Sequence, residues 1–315
     1  MKVSDVYSVL EKNISAVIKG KNDIIKMAAI TLFCGGHLLL EDLPGTGKTT
    51  LAKALAASVS CEMRRIQFTP DLLPTDITGV NVYDLSNGSF RFRKGAVFTN
   101  ILLADEINRA APRTQSALLE CMEEKQVSSD GVTYTLDSPF MVIATQNPVE
   151  TRGTYPLPEA QTDRFFMRLS MGYPDRESEE SAVLKRVSGN PSEKVTAVLT
   201  ADDILNAADQ VSRVYVSKSI AGYILDFAER TRNDSRISVG LSTRGAIALT
   251  KAAMGYAAVS GRDYVIPDDV KAVAVNVAAH RLLVQRSERL TDRDIVEKIL
   301  SDIPVPEQTD MGKAE

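Results

Sequence analysis

Residues 37–50 read HLLLEDLPGTGKTT, and this stretch decides the fold. It begins with a short apolar run, passes through a glycine-rich turn, and leads into a segment that places Leu51 and Leu55 on one helical face. The apolar run predicts a buried strand, and the leucine spacing predicts a helix. A strand, a glycine-rich turn and a helix in this order are the setting of a phosphate-binding loop.

The turn supplies the groups that a nucleotide phosphate needs. Glycines let successive backbone N–H groups close round a phosphate, and the helix N-terminus adds partial positive charge. Lys48 would bring positive charge to the β- and γ-phosphates, and the Thr49 hydroxyl would ligate Mg²⁺. Asp42 stands where the template G-x-x-x-x-G-K-[ST] has its first glycine. Against the alternative of a plain glycine-rich turn, we predict ATP/ADP binding by Leu43, Pro44, Gly45, Thr46, Gly47, Lys48, Thr49 and Thr50.

A second apolar run, residues 101–104 (ILLA), ends in two acids, Asp105 and Glu106. Ligands of parallel sheets bind at the carboxyl ends of the strands, so both acids are expected near the phosphate loop. Asp105 would hold Mg²⁺, and Glu106 would act as the general base that activates water. An acidic strand end that merely caps a helix is the alternative. The pairing with a phosphate loop favours hydrolysis.

Three further residues are candidates for contact with the nucleotide. Asn147 follows an apolar strand and could orient water or touch the γ-phosphate, although an Asn before Pro148 is also a common turn. Arg164, in Asp163-Arg164-Phe165, is either structural or a finger that reaches a neighbouring subunit's γ-phosphate. Arg244 begins a helix in the second half of the chain. It is either a solvated residue or an arm to the same nucleotide.

The chain divides into two parts of different character. Alternating strands and helices in the first part predict a parallel sheet covered on both faces, including a hairpin with Asn87-Gly88 at its turn. From Pro174 onward, helical spacing predominates. We predict an α/β core over residues 1–172, a smaller all-α lid over 173–306 and a disordered tail over 307–315. The predicted lid helices are 175–187, 201–211, 217–233, 242–259 and 268–284.

Composition narrows the class of protein. The 315 residues include 37 Lys plus Arg and 41 Asp plus Glu, and the net charge of -4 argues against a general nucleic-acid coat. Three cysteines fit neither a zinc template nor a closed disulfide framework, and His37 and His280 are expected to be structural. The N-terminus lacks an apolar signal core, and no apolar run reaches the ~20 residues of a membrane span. These features predict a cytoplasmic protein without membrane insertion.

These motifs, in this order, resemble the AAA+ superfamily and, more narrowly, its MoxR family. The resemblance runs from about Val17 to the last lid helix. Its most specific parts are residues 67–79 (QFTPDLLPTDITG), 153–161 (GTYPLPEAQ) with 163–165 (DRF), and 261–265 (GRDYV).

The resemblance implies a P-loop AAA+ core with a helical lid, assembled into homo-hexamers. It implies that Asn147 is sensor 1, that Arg164 is a finger acting in trans, and that Arg244 is the sensor 2 arginine. Ile18 and Gly20 would lie near the adenine. Residues 68–98 would contain the family's insert into the second core helix, and residues 126–137 the hairpin before sensor 1.

Proteins of this family are thought to remodel or mature other proteins, often with a von Willebrand factor A partner, which here would be a separate protein. A nucleic-acid translocase is the main alternative, but the hairpin tip at residues 128–131 (SSDG) lacks the basic residues expected to grip DNA. An ATP-binding regulatory module with little turnover is disfavoured by the presence of Glu106 and Arg164. A chelatase motor subunit is a related alternative.

Overall fold

The computed structural model describes the chain except residues 43–44, 87, 149–152, 174–175, 178, 181–183, 185–194, 286–289 and 307–315. The predicted loop residues Leu43 and Pro44, most of the predicted helix 175–187, and the predicted tail 307–315 therefore lie outside the described residues.

The secondary-structure elements alternate between strands and helices in the first part of the chain. They are α1 (Val3–Ser15), α2 (Asn22–Phe33), β1 (Leu38–Glu41), α3 (Lys48–Ser58), β2 (Met63–Gln67), α4 (Pro74–Thr78), β3 (Gly79–Asp84), β4 (Ser89–Lys94), β5 (Ile101–Asp105), α5 (Pro112–Glu124), β6 (Gln126–Ser129), β7 (Val132–Thr135), β8 (Met141–Gln146), α6 (Glu159–Thr162) and β9 (Met167–Leu169). The second part contains α7 (Ala201–Ser212), α8 (Lys218–Asn233), β10 (Ile237–Val239), α9 (Thr243–Val259), α10 (Pro267–Ala278), β11 (Leu283–Val284) and α11 (Asp292–Asp302).

Five parallel strands form the central sheet in the order β2-β5-β8-β1-β9. Successive side chains of a strand point to opposite faces, and both faces of this sheet are apolar. In β1, Leu38 and Leu40 pack in one core, whereas Leu39 packs in the other. The predicted α/β class with a parallel sheet between helices is therefore confirmed.

The two sheet faces are covered by different parts of the chain. One core joins the sheet to α1, α2, α3 and the C-terminal helices, and the other lies beneath α4, α5 and the two hairpins. Helix α9 lies very close to α2: a Cβ added to Gly255 would be 2.8 Å from Ile30 Cγ2 and 2.9 Å from Cys34 Sγ. The helical lid is thus packed directly on the N-terminal helices.

Most predicted elements are present, and the differences lie in residues 71–95, in α6, in strands β9, β10 and β11, and in the C-terminal helices. Residues 71–95 contain the short helix α4 as well as the hairpin β3–β4, whose pairing of Asp84 with Ser89 confirms the predicted turn position. Helix α11 was not predicted. The predicted helix 268–284 ends at Ala278, because His280 and Arg281 turn inward to bind backbone carbonyls of the core, and β11 then pairs with β10.

Among the described residues, none of the helices combines the length and the apolar character needed to cross a bilayer.

Candidate nucleotide site

The phosphate loop joins the end of β1 to the start of α3. Gly45 and Gly47 have φ of +85° and +94°, which is the left-handed region that glycine adopts most readily. Lys48 is the first residue of α3, and its Nζ donates a hydrogen bond of 2.7 Å to the backbone carbonyl of Asp42. Burial lowers the pKa of Lys48, and the carboxylates of Asp42, Asp105 and Glu106 act in the opposite direction. The loop, the lysine and three acids therefore share one small region.

The threonines next to Lys48 in the loop and in the first turn of α3 differ in exposure. Thr46 is buried, Thr49 is half-buried, and Thr50 is exposed in the first turn of α3. Ile18 and Gly20 lie in the connection between α1 and α2, where Ile18 is buried and Gly20 has φ of +68°. Helix α3 is long enough to present a positive N-terminal dipole end to an anion.

Asp105 and Glu106 are held by one buried hydroxyl. Thr145 Oγ1, on β8, donates to Asp105 Oδ1 at 2.6 Å and accepts a hydrogen bond from the Glu106 backbone N–H at 2.8 Å. The second Asp105 oxygen, Oδ2, receives hydrogen bonds from Arg65 Nη2 at 2.7 Å and Nε at 3.2 Å. Both acids are fixed through their contacts with neighbouring strands.

Glu106 has a strained backbone conformation. Its φ and ψ are 57° and 52°, a left-handed conformation that costs a non-glycine residue about 1–2 kcal/mol. Its carboxylate accepts a hydrogen bond from Gln67 Nε2 at 2.8 Å and forms an ion pair with Arg109 Nε at 3.3 Å. The side chain is nevertheless partly exposed, so a water molecule can reach it.

Four residues around the acids were missed in the sequence: Arg65, Gln67, Arg109 and Thr145. Residues two apart on a strand point to the same side, and β2 pairs Gln67 with Asp105. The end of β2 could therefore have been recognised as part of the same strand-end cluster.

Asn147 follows β8, the strand that lies between β5 and β1 in the sheet. The register pairs Glu41 with Gln146, so Asn147 lies at the same sheet edge as Asp42. On its other side β5 ends at Asp105. The structure thus brings Asn147, the two acids and the phosphate loop to one edge of the sheet.

Arg164 and Arg244 meet on a single carboxylate away from the strand ends, at the last turn of α5. Arg164 Nη2 lies 3.2 Å from Glu123 Oε2, and Arg244 Nη2 donates to Glu123 Oε1. The hydrogen bond from Arg244 is the main cause that holds the pKa of Glu123 below its usual value. The structure groups Arg244 with Arg164, because α9 begins beside the end of α5.

A buried arginine of the lid fixes the segment that carries Arg164. Arg281 is 4% exposed at its side chain, and its Nε donates to Asp163 Oδ1 at 2.7 Å. Its Nη2 donates to the carbonyls of Asp163 at 3.0 Å and Phe165 at 2.7 Å. Burial lowers the pKa of Arg281, and Asp163 opposes that effect. These hydrogen bonds therefore connect the lid to the segment around Arg164.

The two histidines are buried and bonded to backbone groups. His37 Nδ1 accepts from the Val142 N–H at 3.0 Å, and its Nε2 lies 3.1 Å from the Met122 carbonyl. His280 Nε2 lies 3.0 Å from the Phe165 carbonyl. Burial lowers the pKa of His37 to about 4 and lowers the pKa of His280 as well. These contacts agree with the predicted structural role.

Sequence comparison identifies both parts of the chain. The family described as ATPase family associated with various cellular activities (AAA) matches residues 37–167, and the AAA lid domain matches residues 229–299. The chain is 45% identical to the uncharacterized protein YeaC of Bacillus subtilis, over 96% of this chain and 97% of YeaC. It is 38% identical to Chaperone MoxR1 of Mycobacterium tuberculosis, over 93% of this chain and 81% of MoxR1. The chain belongs to the MoxR family of AAA+ ATPases.

The fold of this MoxR-family protein also matches a crystal structure. A candidate ATPase from Cytophaga hutchinsonii, solved at 2.00 Å resolution, superposes with a TM-score of 0.89 and 40% sequence identity, and the match covers 97% of both chains. The family predicted from the motifs is confirmed by these similarities.

Proposed function

We propose that this MoxR protein hydrolyses ATP to ADP and phosphate in a ring of identical subunits and uses the cycle to remodel a protein client. The observation that carries the proposal is the meeting of Lys48, Asp105 and Glu106 at one sheet edge. The loop fits a phosphate: Gly45 is exposed, its backbone is left-handed, and a Cβ built there has nothing within 4 Å.

The binding roles follow from charge and position. Lys48 neutralises the β- and γ-phosphates once its ammonium leaves the Asp42 carbonyl. Asp105 and Thr49 would supply the hard oxygen ligands that Mg²⁺ prefers. When bound, Mg²⁺ neutralises charge on the phosphate oxygens. Thr145 keeps one Asp105 oxygen in place through its 2.6 Å hydrogen bond.

Glu106 is the general base of the proposed reaction. It takes a proton from the attacking water while the water oxygen bonds to the γ-phosphorus and ADP leaves. Gln67 and Arg109 limit the rotation of the Glu106 carboxylate, and its backbone N–H is fixed by Thr145. Asn147, at the end of the neighbouring strand, orients the water or the γ-phosphate.

The arginines support an assembly in which subunits complete one another's sites. Arg164 and Arg244 share Glu123, and Arg281 fixes the adjoining segment to the lid. We therefore assign both arginines to the neighbouring subunit's γ-phosphate, which would replace Glu123 as their common anion. This arrangement favours a homo-hexameric ring, and extra positive charge at the transition state is worth orders of magnitude in rate.

A protein client is supported by one relative and one surface. The relative is Chaperone MoxR1, at 38% identity. The surface is the hairpin β3–β4, which exposes Tyr83, Leu85 and Phe90 to solvent. Exposed apolar clusters of this kind mark protein interaction sites. A separate von Willebrand factor A partner and a cytoplasmic location complete the proposal, on the family resemblance.

A nucleic-acid client is the second candidate, because Arg91, Arg93 and Lys94 are exposed on β4. Phosphate-backbone binding would make stimulation of ATP hydrolysis depend on salt. Addition of single-stranded DNA or of an unfolded protein to the ATPase assay separates the candidates. Stimulation by the unfolded protein alone supports the proposal, and salt-sensitive stimulation by DNA alone refutes the protein client.

The assembly is tested by light scattering of the protein without nucleotide, with ADP and with an ATP analogue, on samples also assayed for phosphate release. A hexameric mass with the ATP analogue, accompanied by phosphate release from ATP, is expected. A monomer that binds ATP and releases no phosphate would contradict the ring motor.

A further inference from the structure

Asp42 is in contact with the phosphate loop and with the segment that leaves the core after β9. Its backbone carbonyl accepts the 2.7 Å hydrogen bond from Lys48 Nζ. Its side-chain Oδ2 accepts hydrogen bonds from the backbone N–H groups of Met171 and Gly172, the latter at 3.0 Å. The residue is 8% exposed, so these bonds form out of water, where charge-assisted hydrogen bonds are strong.

The same residue is tied to the strand that precedes Asn147. The Asp42 N–H donates to the Gln146 carbonyl at 3.1 Å, which continues the pairing of β1 with β8. The acid that replaces the template glycine therefore has a defined set of partners. Its carboxylate is occupied by the segment after β9.

Residues 171–173 make two further contacts with parts of the predicted nucleotide site. The Met171 Cε methyl lies 3.6 Å from the position of a Cβ built on Gly47, within the phosphate loop. Lys21, next to the predicted adenine-binding residue Gly20, donates from Nζ to the Tyr173 carbonyl at 2.8 Å. The segment is thus held between the loop and the connection that joins α1 to α2.

We propose that Asp42 is a positioning residue that couples occupancy of the phosphate loop to the segment 171–173, through which the chain passes from the core toward the lid. The inference rests on the proposed ATP binding. The phosphates of ATP would compete with the Asp42 carbonyl for the three N–H donors of Lys48, and turning these donors toward phosphate oxygens weakens or breaks the 2.7 Å hydrogen bond. Contacts with the phosphates then fix the loop, and Asp42 in turn holds the N–H groups of Met171 and Gly172 more firmly.

The experiment compares wild type with Asp42→Gly, which restores the template glycine and removes the carboxylate. Amide hydrogen exchange at Met171 and Gly172 is measured with and without a non-hydrolysable ATP analogue and Mg²⁺. In wild type, exchange is expected to slow about 10-fold on binding, within the usual range of coupling between sites. In Asp42→Gly, exchange is expected to be fast and unresponsive, and because coupling is reciprocal the Kd of the analogue should weaken by no more than about the same 10-fold.

Steady-state kinetics give an independent readout. Asp42→Gly is expected to lower kcat about 10-fold, since positioning is lost, with KM raised by no more than about 10-fold, since Lys48 and the loop glycines remain. Glu41→Gln is the matched control: this neighbouring acid pairs with Arg168 at 3.2 Å, and its loss should leave exchange at 171–172 responsive.

Three results would overturn the coupling. The first is an amide exchange rate at Met171 and Gly172 of the wild type that does not change when the analogue binds. The second is a wild-type exchange response in Asp42→Gly, and the third is an unchanged kcat in that variant. Failure of wild type to bind the analogue at all would instead overturn the proposed function, and the coupling with it. Asp42→Asn covers the case in which the glycine variant does not fold. It keeps a side-chain oxygen acceptor without the charge, so its exchange response and kcat should both fall below wild type, and wild-type values of both would overturn the role of the carboxylate.

Discussion

Replacing Thr145 with valine is expected to lower both the stability and the ATPase activity of the protein. Thr145 is 1% exposed, and its hydroxyl donates to the Asp105 carboxylate at 2.6 Å and accepts from the Glu106 N–H at 2.8 Å. A hydrogen bond to a charged group contributes about 1.5–3 kcal/mol, and a buried N–H left without an acceptor costs about 1–3 kcal/mol. Allowing for partial relaxation, the free energy of unfolding should fall by about 2–4 kcal/mol.

The effect on catalysis follows from the same two bonds. Glu106 occupies a left-handed conformation, and Thr145 accepts its backbone N–H. Without that acceptor, the proposed general base Glu106 and the proposed Mg²⁺ ligand Asp105 lose their common support, and kcat should fall about 10–100-fold, as expected when a reacting group is misplaced. Phosphate release at saturating ATP measures the loss, and urea denaturation measures the stability.

Thr145→Ser is the matched control because it keeps the hydroxyl and removes only a methyl group. It should cost about 0.5–1.5 kcal/mol of stability and retain most of the activity. A valine variant that hydrolyses ATP at the wild-type rate would refute the argument. A serine variant as inactive as valine would show that packing, and not the hydroxyl, supports the acids.

Two further predictions concern the ring and the pH dependence. Arg164→Ala and Lys48→Ala should each be inactive alone but regain activity when mixed, because a subunit with an intact phosphate loop can then lie next to a subunit with an intact Arg164. Absence of recovery in rings shown to contain both variants would refute trans action. His37 has a folded pKa of about 4 against 6.5 when unfolded, so its neutral form favours folding above pH 6.5 and that contribution is lost as pH falls toward 4. Because of His37, the free energy of unfolding should therefore fall by about 2 kcal/mol between about pH 7 and pH 5, as measured by urea denaturation. His37→Gln should show a smaller dependence, and an equal dependence would contradict the assignment.

The parts of the site that local sequence specifies were predicted well. An apolar run that stops at a polar residue marks a strand end, and parallel strands bring such ends to one edge. Lys48, Asp105 and Asn147 could be placed together for this reason. Helical spacing in the second half of the chain predicts the lid, and the family resemblance adds the choice of the trans-acting finger over a structural role for Arg164.

The contacts that escaped prediction join residues far apart in the chain. Arg281 binds Asp163 and Phe165 across more than a hundred positions, and no local pattern marks such a partner. Arg244 pairs with Glu123 only because α9 packs beside the end of α5, which depends on the tertiary arrangement of the lid. Asp42 departs from the loop template in the sequence, but only the fold shows which backbone N–H groups its carboxylate binds.

Phosphate release by Glu106→Gln tests the central claim most directly. The substitution keeps the shape of the side chain and removes the basic oxygen, so binding of an ATP analogue should stay within about 3-fold of wild type while kcat falls at least about 100-fold. Nucleotide binding measured on the same preparation shows that the variant is folded. Retained binding with lost turnover is the predicted result, and turnover at the wild-type rate would contradict the assignment of Glu106 as the general base.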